Sequence, residues 1–158
     1  MPIRSVLLIF QSRCPRSGLA ARLAGLRSPE GIAHVTVADD GEANVAAWRT
    51  YTGWRYVPAD RFLAECRTIQ EIYRVQVPRK PNLWRVPRGS KKPGCVTMAR
   101  QVLDAAGQPA PRVLTPHGLL QWCRRHGDPD DAIPVPDWHE PHEHRRACHR
   151  AGRVCFPD

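Results

Sequence analysis

Proline fixes φ and has no amide proton, so it interrupts helix interiors and central strands wherever it stands, and this chain carries 16 of them. They gather between Pro78 and Pro93 and again between Pro129 and Pro141. Both stretches therefore read as extended or turn-rich connections, and regular structure is expected outside them. With 158 residues the chain has the length of one domain, enough to bury a core without metal or disulfide staples. The expected organisation is a domain over 1–127 followed by a Pro-, His- and Arg-rich tail over 128–158. At 42% hydrophobic and 25% charged residues, a wholly disordered chain is excluded.

Hydrophobic periodicity fills in the elements. Val6-Leu7-Leu8-Ile9-Phe10 is an unbroken apolar run and reads as a buried strand. From Pro15 to Leu26, Leu19, Leu23 and Leu26 recur at helical spacing among arginines, which predicts an amphipathic helix. Ile32 to Ala38 alternates as a strand, with Ala33, Val35 and Val37 on one face and His34 and Thr36 on the other. Asp39-Asp40-Gly41 signals a turn, and Ala43 to Trp48 returns as an antiparallel partner. Tyr51 to Val57 is extended, and Pro58 opens a short helix with Phe62, Leu63 and a core Cys66 on one face. Gln70 to Val77 alternates as a half-exposed strand. After Pro93-Gly94, the residues Cys95, Ala99, Val102, Leu103 and Ala106 form one helical stripe that Gly107 and Pro109 close. Thr115 as N-cap and Pro116 at the first helical position start a last helix, through Leu119, Leu120 and Cys123 to Gly127.

Lys and Arg exceed Asp and Glu to give a net charge of +9, which favours polyanionic neighbours. Most of the excess is arginine scattered along the chain, which reads as a solvated basic surface and leaves nucleic acid open as a partner without favouring it. The apolar run at 6–10 is too short for a signal peptide or a membrane span, so the expectation is a cytoplasmically made chain with no transmembrane segment. The six cysteines include no C-x-x-C pair, and without a secretory signal a disulfide framework has little support.

Cys95 has the position in which a thiol becomes a nucleophile. A helix N-terminus offers unpaired N–H groups and the positive end of the macrodipole, and both stabilise a thiolate. A nearby imidazole completes the ion pair and later protonates the leaving group, and His34 on its strand is the candidate. Taken alone, a cysteine at a helix start reads more readily as a buried structural thiol than as a nucleophile.

The order of parts adds to this. Val6-Leu7-Leu8-Ile9-Phe10, then Ala33-His34-Val35-Thr36-Val37, then Asp40-Gly41, then Gly94-Cys95-Val96-Thr97, then Thr115-Pro116-His117-Gly118-Leu119-Leu120 form a linear pattern over roughly residues 3 to 125. This pattern resembles the circularly permuted papain-like group related to NlpC-type peptidases, including YiiX-like proteins and small phage-encoded chains. The resemblance implies an α+β fold, with an antiparallel sheet packed against a helix that carries the cysteine at its N-terminus. It implies Cys95 as nucleophile, His34 as general base and the Cys95 N–H in an oxyanion hole, acting without a cofactor on cell-wall peptides or acyl-protein linkages. The group's orienting residue, often Glu on the strand after the turn, is matched here by alanine within Val45-Ala46-Ala47-Trp48; Asn44 is the nearest substitute. Without such a residue the fold also suits a non-catalytic scaffold, an assembly component of a virus particle or a larger complex. His117 reads as a capping or surface residue, and Trp48, Trp54 and Trp84 as packing residues before groove residues.

The tail carries His139, His142, His144, Cys148, His149 and Cys155, donor types suited to zinc. The tightest set is Cys123 with His126 on one helix and His144 with Cys148 beyond it, which as two i,i+3/i,i+4 pairs would make a tetrahedral structural zinc site. Three readings thus stand open: a cysteine hydrolase, an inactive papain-like scaffold, and a zinc-stapled nucleic-acid binder built on the tail and the basic loop.

Overall fold

The computed structural model describes residues 4–12, 31–50, 52–66 and 68–130. The expected helix from Pro15 to Leu26, and the tail beyond Asp130 with its histidines and cysteines, lie outside the described residues. The protein is α+β, built on one six-stranded sheet in which every pair of neighbours is antiparallel. The strands are β1 (Arg4–Ser12), β2 (Ile32–Asp39), β3 (Val45–Thr50), β4 (Gly53–Pro58), β5 (Ile69–Val77) and the two-residue β6 (Asp128–Pro129). Their order is β4-β3-β2-β1-β5-β6. Three helices are described: α1 (Ala59–Glu65), α2 (Cys95–Ala105) and α3 (Pro116–His126).

The unbroken apolar run has its reason in this order, because β1 is central and covered on both faces. Val6, Leu8 and Phe10 join the core under α2 and α3, with Val102, Leu103, Leu119 and Leu120. Leu7 and Ile9 point the other way, onto α1 through Phe62 and Cys66. One strand thus serves two cores, which neither periodicity nor length could show from its five apolar letters alone. The expected hairpin of β2 and β3 is present, with Asp39 opposite Val45, and β4 extends it with Thr50 opposite Gly53.

The last helix starts as read: Thr115 accepts a hydrogen bond on Oγ1 from the Gly118 N–H at 3.0 Å, and Pro116 stands in the first turn. One expectation changes. The domain does not stop at residue 127, because Asp128 and Pro129 pair with Arg74 and Tyr73 along the open edge of β5. The Asp130 N–H donates to the Ile72 carbonyl, and its carboxylate holds Arg74 at 2.7 Å. Such an addition uses backbone hydrogen bonds and one ion pair, so it has no hydrophobic signature to read.

Candidate active site

The ladder between β2 and β3 covers only Val37 to Asp39, so among the described residues the first half of β2 is bound by β1 on one edge and by no strand on the other. Helix α2 brings Cys95 to that open edge. The Val35 N–H donates to the Cys95 sulfur, and so does the Val96 N–H of the helix's own first turn. His34 is next to Val35, and its electrostatic interaction and side-chain hydrogen bond with the sulfur favour the thiolate. The approach is held from behind by Trp54, whose indole N–H donates to the Pro93 carbonyl at 2.8 Å, two residues before the cysteine.

The electrostatics follow from this placement. Burial by itself pushes the Cys95 thiol up, because a thiolate is poorly accommodated away from water. The His34 charge, its hydrogen bond and the two backbone N–H groups outweigh burial, and the net pKa lies below the ordinary thiol value. Gly94, the N-cap, brings no side-chain acceptor, so the first-turn donors of α2 are not consumed by a cap. The helix's first backbone bond runs from the Met98 N–H to the Gly94 carbonyl, which leaves the N–H groups of residues 95–97 ahead of it.

Simple alternation groups His34 with Thr36, on the face opposite Val35. Thr36 does lie on the α1 side, where its hydroxyl donates to Gln11 Oε1 at 2.6 Å while Gln11 Nε2 donates towards Cys66 and Thr68. The sulfur, however, meets His34 and the Val35 backbone together, so the contact forms along the strand edge and not on one face. A register shift lies beside it: Gln11 is opposite His34 but Ser12 is opposite Ile32, so Ala33 is an extra residue. Gln11, opposite His34 and only 4% exposed, is a buried polar residue missed in the sequence. Its signal was available, as a polar residue continuing an otherwise apolar strand.

Asn44 is placed elsewhere. It stands in the β2–β3 turn at a positive φ of 43°, and its side chain exchanges hydrogen bonds with Asp60, from Nδ2 to Oδ1 at 3.2 Å and from the Asp60 N–H at 3.1 Å. That ties the turn to the start of α1, at the far end of β2. Asp39 is five steps along the strand from His34, roughly 16 Å at strand rise, so Asn44 does not reach the imidazole. The His34 Nε2 is buried and has no hydrogen-bond partner among the described residues.

Of the four residues expected to hold zinc, two are described, Cys123 buried and His126 exposed. Cys123 is fully buried in the core, and burial pushes its thiol up to about 12. His126 stacks on Trp122, and its Nδ1 lies 3.0 Å from the Trp122 carbonyl oxygen. His144 and Cys148 lie outside the described residues, among which no group of three or more His, Cys, Asp or Glu converges on a metal position. His117 Nε2 lies 3.5 Å from Gln121 Nε2 in the first turns of α3. Trp48 and Trp54 are core residues, whereas Trp84 is exposed. No helix of the described residues is long and apolar enough to cross a membrane. Searched against protein-family models, curated proteins and solved structures, the chain matches none.

Proposed function

We propose that the protein is a cysteine hydrolase of amide or ester bonds on a permuted papain-like arrangement, with Cys95 as nucleophile and His34 as its acid–base partner. The observation that carries this reading is the meeting of His34 with a cysteine at the first residue of α2. The thiolate attacks the substrate carbonyl carbon, and the Cys95 N–H, which has no intrahelical acceptor, donates to the oxyanion. His34 gives its proton to the departing nitrogen or oxygen as the carbonyl bond to it breaks, leaving a thioester. Water then attacks the thioester while His34 takes its proton, which releases the acid and restores the thiolate–imidazolium pair. Cell-wall peptides and acyl-protein linkages are the substrate classes that the resemblance suggests.

A second reading, an inactive copy of the same arrangement serving in a particle or complex, is favoured by the His34 Nε2, which has no partner among the described residues, because a ring oriented from one side only is a weaker base. Activated acyl esters separate the two. In the hydrolase they acylate Cys95 and turn over, with the adduct found by peptide mass mapping and absent in Cys95→Ser. Stoichiometric acylation without turnover leaves the scaffold reading, and no acylation at pH 6 removes the nucleophile altogether.

A further inference from the structure

The loop between β5 and α2 contains Arg79, Lys80, Arg85, Arg88, Lys91 and Lys92 and not one Asp or Glu. All of these side chains are exposed, and none has an ion-pair partner among the described residues. Such concentrated charge of one sign is commonly solvated and loosely held, but this loop is fastened. The Trp54 N–H donates to Ser90 O and the Gly89 N–H to Trp54 O, each at 2.8 Å, so the loop pairs with the outer edge of β4. Arg49 Nη2 donates to the Lys91 carbonyl at 2.8 Å, Tyr56 Oη donates to the Val86 carbonyl at 2.6 Å, and Leu83 and Val86 are buried as anchors. At Gly53 the backbone comes so close that a Cβ would stand 2.4 Å from the Gly89 carbonyl oxygen, so the seat is shaped for this loop.

One further side chain makes the surface more than basic. Trp84 is 63% exposed, and its ring rests on Tyr56 with centroids 4.5 Å apart. An indole held in water by a second ring, next in sequence to Arg85 and within a run of cations, has the two elements by which single strands are bound: a stacking platform for a base and charges for the phosphates. Anionic polysaccharides and duplexes satisfy the charge but leave the stacking platform without a function.

We propose that this fastened loop binds single-stranded nucleic acid, a base stacking on Trp84 and the phosphates following the loop's cations. The proposal does not rest on the Cys95 chemistry. The test is the fluorescence anisotropy of a fluorescein-labelled oligothymidylate of about 16 nucleotides, titrated with the full chain at rising salt. Binding is expected to weaken with salt, and Trp84→Ala to weaken it about tenfold through lost stacking. The double variant Arg85→Glu, Arg88→Glu, exposed at both positions, is expected to weaken it further and to reduce the salt slope by roughly 1.4. Cys95→Ser is expected to bind as the wild type does. Thermal unfolding checks that each variant is folded, and the charge variant serves should Trp84→Ala loosen the loop. The proposal is overturned if no anisotropy change occurs at low salt, or if Trp84→Ala binds like the wild type. It is equally overturned if heparin or a duplex of the same length competes as well as unlabelled oligothymidylate.

Discussion

Helices α2 and α3 lie on the same side of the sheet and are each 11 residues long, yet their first turns are built differently. At α3 the Thr115 hydroxyl takes the Gly118 N–H, and Pro116 has no N–H to leave unmatched, so the turn is closed by its own residues. At α2 the N-cap is glycine, and the sulfur of the next residue accepts from Val96 and from a strand. The two cysteines differ in the same sense: Cys123, late in α3, faces the apolar core and is driven towards the neutral thiol, whereas Cys95 is drawn towards the thiolate. A capped helix start uses its own donors for stability, and an uncapped start beside a strand edge leaves donors that favour a thiolate. Burial acts on both thiols, and only the presence of donors and a charge reverses its sign.

The strongest way to break this contrast is to remove the charge. His34→Ala is expected to slow iodoacetamide labelling of Cys95 at pH 6 by about a hundredfold, towards the behaviour of a thiol with a pKa near 8.5, with the fold retained. Peptide mapping reads the rate at Cys95 apart from Cys66 and Cys123, and an unchanged rate would show that the imidazole is not what activates the sulfur.

The two thiols should also pull stability in opposite directions with pH. Cys123 stays protonated in the native state up to about 12, whereas the unfolded thiol ionises near 8.5, so its contribution is lost as pH rises between these values. At pH 10 the loss is about 2 kcal/mol, and Cys123→Val should not show it in urea unfolding. For Cys95 the native pKa is the lower one, so its contribution is complete above the unfolded value and disappears as pH falls through the native value. Cys95→Ser should therefore flatten that part of the wild-type profile, and parallel profiles for the two variants would contradict the assignment.

The caps give the smallest effects and the finest test. Thr115→Ala should cost about 1 kcal/mol in urea unfolding and leave Cys95 labelling unchanged, since it acts on the other helix. Gly94→Asp has open space for its Cβ and would give α2 the acceptor it lacks. Stability should rise by roughly a few tenths of a kcal/mol while labelling at pH 6 slows severalfold, because the new carboxylate competes for the first-turn donors and repels the thiolate. An increase in both would show that the uncapped start has no part in activating the sulfur.

Local rules made much of this legible. The start at Thr115-Pro116, the stripe from Cys95 to Ala106 and the alternation of β5 all depend on neighbours within one or two turns, and the letters carry them. The sites at which reading stopped depend on distant chain. Asn44 was singled out by its closeness to the β3 alanines, but its carboxamide had a nearer use in bridging the turn to Asp60. Asp128 to Asp130 looked like the start of a tail because an edge addition is made by backbone groups, which every sequence possesses.

For this protein the sequence alone determined which residues could be chemically special: a cysteine placed by Pro93-Gly94 at a helix start, and a histidine within a β-branched strand. Helix starts and strand periodicity are consequences of short-range sterics and hydrogen bonding, so they need no knowledge of the rest of the chain. Only the tertiary structure decided that these two meet, and where. The β2–β3 ladder is confined to Val37–Asp39, an extra residue opposite β1 shifts the register beside His34, and the open strand edge gives the Val35 N–H to the sulfur. A backbone donor carries no residue identity, and a cysteine–histidine contact joined across 60 residues of chain depends on how the sheet closes, so neither could be read before the fold brought them together.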